Sequence, residues 1–364
     1  MWVADMDFLP PEPVVQALVE RAACGDYGYP DGVMSNSKDL IGLRNAIIER
    51  LEGLYHWQVE PQDLFFLPGV IPGINLACHA FAVPNGILVQ PPVYPPIYQA
   101  ARTTGALHQE AEIVRQPDGS YRIDWAAFES AFTAQTRLFI LCNPHNPVGK
   151  VYRRDELEHM AEICLDKGVI IVADEIHSDL VYTGNHHIPI ATLGTEIAKS
   201  TITLIAPSKT FNLAGLQCSV AIIQNDEIKK KFTQSRKGLV PWVNLFGLVA
   251  AEAAYREGQD WLEQVLIYLE VNRNALVDFV ERELPGVQIT SPEGTYLAWL
   301  DFREMGIHGS PYQFFLEKAR VALNDGATFG SGGEGFVRLN FACPKSLLMK
   351  GLSRMQSAMK STIV

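Results

Sequence analysis

The sequence predicts an α/β protein, with a mainly parallel central sheet covered by helices on both faces and joined to a smaller α+β region. Three observations carry this expectation. Short, fully apolar runs alternate with amphipathic stretches between about residues 64 and 225, the pattern of buried parallel strands and their crossover helices. Beyond Pro241 the pattern changes to long helical periodicity and then to a small set of strand-like runs, which points to a second helix-and-sheet unit. A chain of 364 residues with a 48% hydrophobic share is longer than one average domain and can bury a large core.

Taken in chain order, DLFFL, GILVQ, RLFIL, VIIVA, TITLI and CSVAII read as strands. Helical stretches are expected from Pro72 to Phe81, Ile97 to Arg102 and Asp155 to Leu165, whereas VIIVA leads into a loop. Helical periodicity then runs through Glu283, followed by strand-like QIT and TYLAWLDF, a helix from Tyr312 to Lys318, and strand-like GFVRLNFA. The expected division is a large cofactor-binding α/β domain over residues 36–250. A small α+β domain is made by 251–364 together with the N-terminal segment 1–35.

Thirty Lys and Arg against 41 Asp and Glu leave a formal charge of −11, which repels polyanions and disfavours nucleic-acid binding. The most apolar stretch, Gly238 to Tyr255, is interrupted by Pro241, Asn244 and Glu252, so no span suits a bilayer. The N-terminus lacks a basic segment followed by an apolar one and a cleavage site, and a cytoplasmic location is expected. Cys24, Cys78, Cys142, Cys164, Cys218 and Cys343 form no C-x-x-C pair and read as buried free thiols. His186 and His187 lie in the polar stretch TGNHH with no third ligand at helical spacing, so a solvated loop is expected rather than a metal site. Gly330, Gly332 and Gly335 match G-x-G-x-x-G, but the strand-like FVRLNF follows where a dinucleotide site needs a helix. A glycine-rich turn feeding an edge strand is expected there.

The polar residues that follow the strands are more informative, because α/β ligands bind beyond the carboxyl ends of parallel strands. After LFFL comes PGVIPG, after LFILC comes NPHNPVG, after VIIVA comes DEIHSD, and after TLIA comes PSKTFNLAG. Each alone reads as a turn; together they place an acid, an amide, a lysine and a helix start at four strand ends. Lys209 stands beside Ser208 and ahead of an apolar stretch, a setting that lowers an ammonium's pKa toward nucleophilic range. A lysine after a strand is also an ordinary surface feature. Asp174 ends VIIVAD, where a buried carboxylate needs a cationic partner, and a protonated pyridine nitrogen is one. An imine-forming lysine, an aspartate for the ring nitrogen and main-chain N–H groups for a phosphate specify pyridoxal 5'-phosphate. The turn Gly69-Val70-Ile71 can supply those N–H groups, or it can be a plain strand-to-helix turn.

The motifs MWVADMDF, YGYP, PPVYPPIY, CNPHNPVGK, ADEIHSDLVY, PSKTFNLAGL and FVRLNFA, in this order and spacing, resemble the MalY/PatB-type cystathionine β-lyases among the fold-type I pyridoxal-phosphate enzymes. The resemblance spans essentially the whole chain. It implies Lys209 as the imine-forming lysine and proton shuttle, Asp174 as the pyridinium partner and Asn146 as the donor to the ring hydroxyl. Tyr94 would stack on the ring, Arg338 would clamp the substrate α-carboxylate, and His177 takes the place where many aminotransferases carry a tyrosine. Tyr29 would reach the phosphate of a neighbouring subunit, which implies a homodimer with shared sites. Ala206 and Gln217 stand where most aminotransferases of this fold have a serine and an arginine on the phosphate; the lyase subgroup also lacks that arginine. The chain opens almost directly on WVADMDF, where family members usually carry some residues ahead of it.

The implied reaction is α,β-elimination on an L-cysteine thioether, giving pyruvate, ammonia and a thiol. An aminotransferase shares every step up to removal of the Cα proton. A regulatory protein that keeps the fold is a third reading, disfavoured by the presence of Lys209, Asp174 and Arg338 together.

Overall fold

The computed structural model describes residues 1–28, 38–307 and 309–361. Among the described residues the thirteen strands are β1 Leu64–Leu67, β2 Gly86–Val89, β3 Leu107–Glu110, β4 Ile113–Arg115, β5 Tyr121–Ile123, β6 Thr136–Cys142, β7 Ile170–Asp174, β8 Thr201–Ile205, β9 Ser219–Ile222, β10 Gln288–Ile289, β11 Leu297–Asp301, β12 Asn324–Asp325 and β13 Phe336–Asn340. Seven build the main sheet in the order β1-β9-β8-β7-β6-β2-β3. All pairings among β8, β7, β6, β2 and β3 are parallel, and β9 alone runs against its neighbours β1 and β8.

Apolar side chains alternate between two buried faces along these strands, as a period of two requires. In β6, Leu138 and Ile140 pack with the helices Val70–Ala77 and Asp226–Arg236, whereas Phe139 and Leu141 pack beneath the helix Arg154–Asp166. The expected helix from Pro72 begins two residues earlier, directly after Gly69, and continues as a wider turn over Cys78–Ala82. The helical region after Pro241 is two helices, Leu245–Glu257 and Gln259–Glu283, that part at Gly258. An added Cβ on Gly258 would lie 2.5 Å from the Ala254 carbonyl oxygen and 2.6 Å from the Phe211 ring, so no larger residue fits that close approach.

The second sheet has the order β10-β11-β13-β12 and is antiparallel throughout. This corrects one expectation: β13, which follows the glycine-rich turn, lies between β11 and β12 rather than at an edge. Gly330 in that turn has φ +92° and faces the Tyr98 ring, which an added Cβ would strike. Val337 and Leu339 join a core with the helices Gln259–Glu283 and Lys345–Lys360, which leaves Arg338 and Asn340 on the opposite face of the strand. Two further expectations change. Cys24 is exposed while the other five cysteines are buried, and His187 is buried against Glu175, Nε2 to Oε2 3.0 Å, instead of solvated. Glu175 stabilises the turn further by accepting from Ile190 N–H at 3.1 Å.

The first eight residues form an extended strap over the junction of the two sheets. Asn340 N–H donates to Met1 O, Asp7 N–H to Ala342 O, and the Asn340 side chain to Val3 O and Asp5 O. On the other side Asn212 donates to Met6 O and Phe8 O, both at 2.8 Å, and accepts from Met6 N–H at 3.0 Å. Asn212 has a left-handed backbone, φ +57°, which asparagine tolerates better than most residues. Asn212→Ala removes three hydrogen bonds and leaves two carbonyls short of a donor, so it is expected to cost about 1–3 kcal/mol. A lower thermal midpoint and faster proteolysis ahead of Pro10 are the measurements; an unchanged cleavage rate would contradict the strap's dependence on Asn212.

Candidate active site

Because β1, β2, β6, β7 and β8 point the same way, the segments that leave them meet at one edge of the sheet. Since β9 is reversed, Gln217 and Cys218 enter at that same edge. A cavity of about 440 Å³ opens there, lined by Gly69, Val70, Ile71, Tyr94, Asn146, Asp174, His177, Ser208 and Lys209, with the strap residue Ala4 across from them. The residues singled out in the sequence thus come together, with two exceptions. Arg338 stands just behind the lining, and Tyr29 lies outside the described residues.

Lys209 sits in the short helix Pro207–Thr210 that follows β8. Its Nζ donates to Ala4 O at 2.6 Å. Burial, and then the nearby Arg338 charge, pull its pKa below the ordinary lysine value, against the attraction of Asp5 and Asp174. Asp174 ends β7 and is buried; desolvation pushes its carboxyl up to about 7, opposed by the Ile176 N–H at 3.2 Å and by Lys209. Among the described residues no cation lies within ion-pair distance of it. His177 is buried with Nδ1 lacking a partner, and desolvation first, then Lys209 and Arg338, keep its ring neutral. Tyr94 begins the helix Pro95–Tyr98, and burial raises its hydroxyl pKa.

Arg338 Nη1 donates to Asn146 Oδ1 at 3.0 Å, and Nη2 to Asn324 Oδ1 at 2.7 Å and Trp2 O at 3.4 Å. Its Nε has no partner. Burial without a carboxylate pulls its pKa down to about 10, the state of a guanidinium that still lacks an anion. Gly69 precedes the first turn of the helix Val70–Ala77, whose leading N–H groups have no intrahelical acceptor and face the cavity. Gln217 lines the cavity, whereas Ala206 faces a neighbouring small cavity beside Arg50 and Tyr255. Sequence reasoning missed Ala4, which acts through a main-chain carbonyl, and Tyr296, whose hydroxyl donates to the same carbonyl at 2.9 Å. The motif WVADMDF was the available signal for the strap. Nothing local marks Tyr296.

An edge of parallel strands that gathers a buried lysine, an unpaired buried acid and an arginine without an anion defines the class: the fold of the type I pyridoxal-phosphate transferases. The chain belongs to the aminotransferase class I and II family, whose sequence pattern matches residues 3–354. It is 41% identical to cystathionine beta-lyase PatB of Bacillus subtilis over 99% of this chain and 92% of the relative. Protein MalY of Escherichia coli is 30% identical, again over 99% of this chain, with 91% of MalY covered. Among solved structures, cystalysin from Treponema denticola, which contains a pyridoxal 5'-phosphate cofactor, superposes with a TM-score of 0.93 at 31% identity, covering 99% of this chain and 91% of that one. No helix among the described residues is long and apolar enough to cross a membrane.

Asp174 gives a measurable sign in cofactor-free protein. A carboxyl whose folded pKa is near 7 against an ordinary 3.8 holds its proton more tightly when folded, so its contribution to stability is lost as pH rises from about 4 through 7. Asp174→Asn removes that loss. Cofactor-free wild type should therefore show a thermal midpoint falling from pH 5 to pH 8 relative to the variant; parallel profiles would contradict the assignment.

Proposed function

We propose that the cavity binds pyridoxal 5'-phosphate and that the protein cleaves the Cβ–S bond of L-cysteine thioethers such as cystathionine, releasing pyruvate, ammonia and a thiol. The observation that carries this reading is the buried Asp174 carboxyl, which lacks a cation and shares a cavity with Lys209. The cavity's donor set fits the group. Asp174 suits a protonated ring nitrogen, the N–H groups of Val70 and Ile71 with the Ser208 hydroxyl suit a phosphate, and Asn146 and His177 suit the phenolic oxygen. Tyr94 offers an aromatic face. When bound, the cofactor supplies an electron sink for negative charge at the substrate Cα.

The chain's own residues do the rest. Arg338 has five N–H groups, of which three are engaged; its Nε–H is without a partner and open to a substrate carboxylate, whose capture orients the Cα–H bond. Lys209, whose basicity burial lowers, is the group that takes the Cα proton at Nζ and later returns one. The strap, held to Asn212 and Asn340, shuts water from that side. Support for elimination over transamination comes from the relative named cystathionine beta-lyase at 41% identity, and from Gln217 in a place where most aminotransferases use arginine. The division into a large domain, 36–250, and a small one, 1–35 with 251–364, belongs to the same proposal. So does a homodimer in which Tyr29 reaches the partner's phosphate, supported by the exposed apolar Leu9, Val19 and Tyr27 near the N-terminus.

With cystathionine, pyruvate and free thiol should appear in equal amounts whether or not a 2-oxo acid is present; product formed only with the 2-oxo acid would mean an aminotransferase. Lys209→Ala should fold, lose the visible absorbance of lysine-bound cofactor, and lose about a thousandfold or more in turnover. Retained absorbance and turnover would remove Lys209 from its role. For the dimer, dilution monitored by sedimentation should release cofactor as protomers separate, and Tyr29→Phe should weaken cofactor retention. A monomer that holds cofactor undiminished would refute it.

A further inference from the structure

His145, the residue between the two asparagine–proline pairs of NPHNP, is fully buried and does not itself line the cavity. Its Nε2 lies 2.9 Å from the Pro92 carbonyl oxygen and its Nδ1 lies 3.1 Å from the Tyr152 hydroxyl. A carbonyl oxygen only accepts, so the proton must sit on Nε2, and Nδ1 then accepts from Tyr152. Both nitrogens are thereby satisfied by a neutral ring. Burial, which pulls the imidazole down to about 4, agrees with that state.

The two segments tied by this ring are those that carry Asn146 and Tyr94. The tie continues around a closed circuit. Val93 N–H, next to Pro92, donates to Phe329 O at 2.9 Å. Arg338 lies 5.1 Å over the Phe329 ring and donates to Asn146 Oδ1, and Asn146 adjoins His145. We propose that His145 is a positioning residue that fixes Asn146, Tyr94 and Arg338 relative to one another, so that the ring-binding and carboxylate-binding groups keep one spacing. The proposal rests on the reading that Arg338 holds the substrate carboxylate. A displaced carboxylate site costs binding steeply, because the guanidinium's donors are directional.

The test uses the full chain loaded with pyridoxal 5'-phosphate. His145→Gln keeps a donor at Nε2, whereas His145→Leu combined with Tyr152→Phe removes the tie without leaving a lone buried hydroxyl. L-Alanine binding, followed through cofactor absorbance, needs the carboxylate site but no carbon–sulfur cleavage, so it reads this proposal even if the lyase reading fails. The double variant should weaken L-alanine binding about tenfold or more, raise KM for cystathionine more than it lowers kcat, and the glutamine variant should recover most of the loss. Unchanged binding in the double variant, or a glutamine variant as impaired as the double, would overturn it. Should the double variant not fold, 15N NMR of the unaltered protein decides: a proton held on Nε2 from pH 5 to 8 supports the tie, and a proton on Nδ1 or a charged ring overturns it.

Discussion

A carboxyl group sealed into protein without a cation is the constraint around which the rest of this structure is arranged. Asp174 is put there by sheet topology: β7 lies in the middle of the main sheet, with β6 and β8 parallel on either side, so its last residue is buried and faces only the cavity. An isolated buried acid is costly, and the molecule leaves that cost standing, with burial raising the carboxyl's pKa to about 7. Arg338 shows the opposite sign of the same condition, a buried guanidinium held by amide oxygens rather than by a carboxylate. The two lie on different sheets and do not cancel each other. Each is completed only by something that enters the cavity, and this is what makes the cavity a binding site rather than a packing fault.

The parts that support these groups are drawn from far along the chain. Asp179, in the turn after β7, accepts from Arg50 at 2.6 Å and from Thr210 at 2.9 Å, which ties the turn beyond Asp174 to the residue after Lys209. Arg50 comes from the helix Lys38–Tyr55, so one half-buried ion pair joins three segments. Asn272, from the helix Gln259–Glu283, donates to Phe341 O and Cys343 O and so anchors the end of β13, the strand that presents Arg338. The carbonyls just beyond β13 are satisfied by an asparagine side chain, and the ends of the strands are the places that must not move.

Much of this was legible in the sequence for a physical reason. Strands buried on both faces are continuous apolar runs, and all six runs expected in the main sheet are strands in it; the seventh, β3, reads LHQE and is too polar at the edge to announce itself. The helices Glu12–Cys24 and Lys38–Tyr55 were equally hidden, because their apolar residues are spread between a buried stripe and exposed positions such as Val15, Val19 and Ile41. Lys209, Asp174 and Asn146 were found because chemistry at strand ends stands out against apolar strands. His187 was misread because a pair of histidines in a polar stretch carries no sign of its distant acid, Glu175. Arg338 was given an edge strand because nothing in FVRLNF records that two other strands flank it. Contacts made through main-chain atoms, such as Ala4 with Lys209, have no sequence signature.

The strap over the cavity also sets an order in time. Met1 and Asp7 bond to Asn340 and Ala342, so the strap is synthesised long before these partners. At translation rates of about 5–20 residues per second that delay is on the order of half a minute. In the last third of it the sheet strands β1 to β9 have been made, while the strap still lacks Asn340 and Ala342, its partners on the second sheet. Until those partners emerge, the second-sheet side of the strap is unanchored and the cavity edge is held by Lys209 and Asn212.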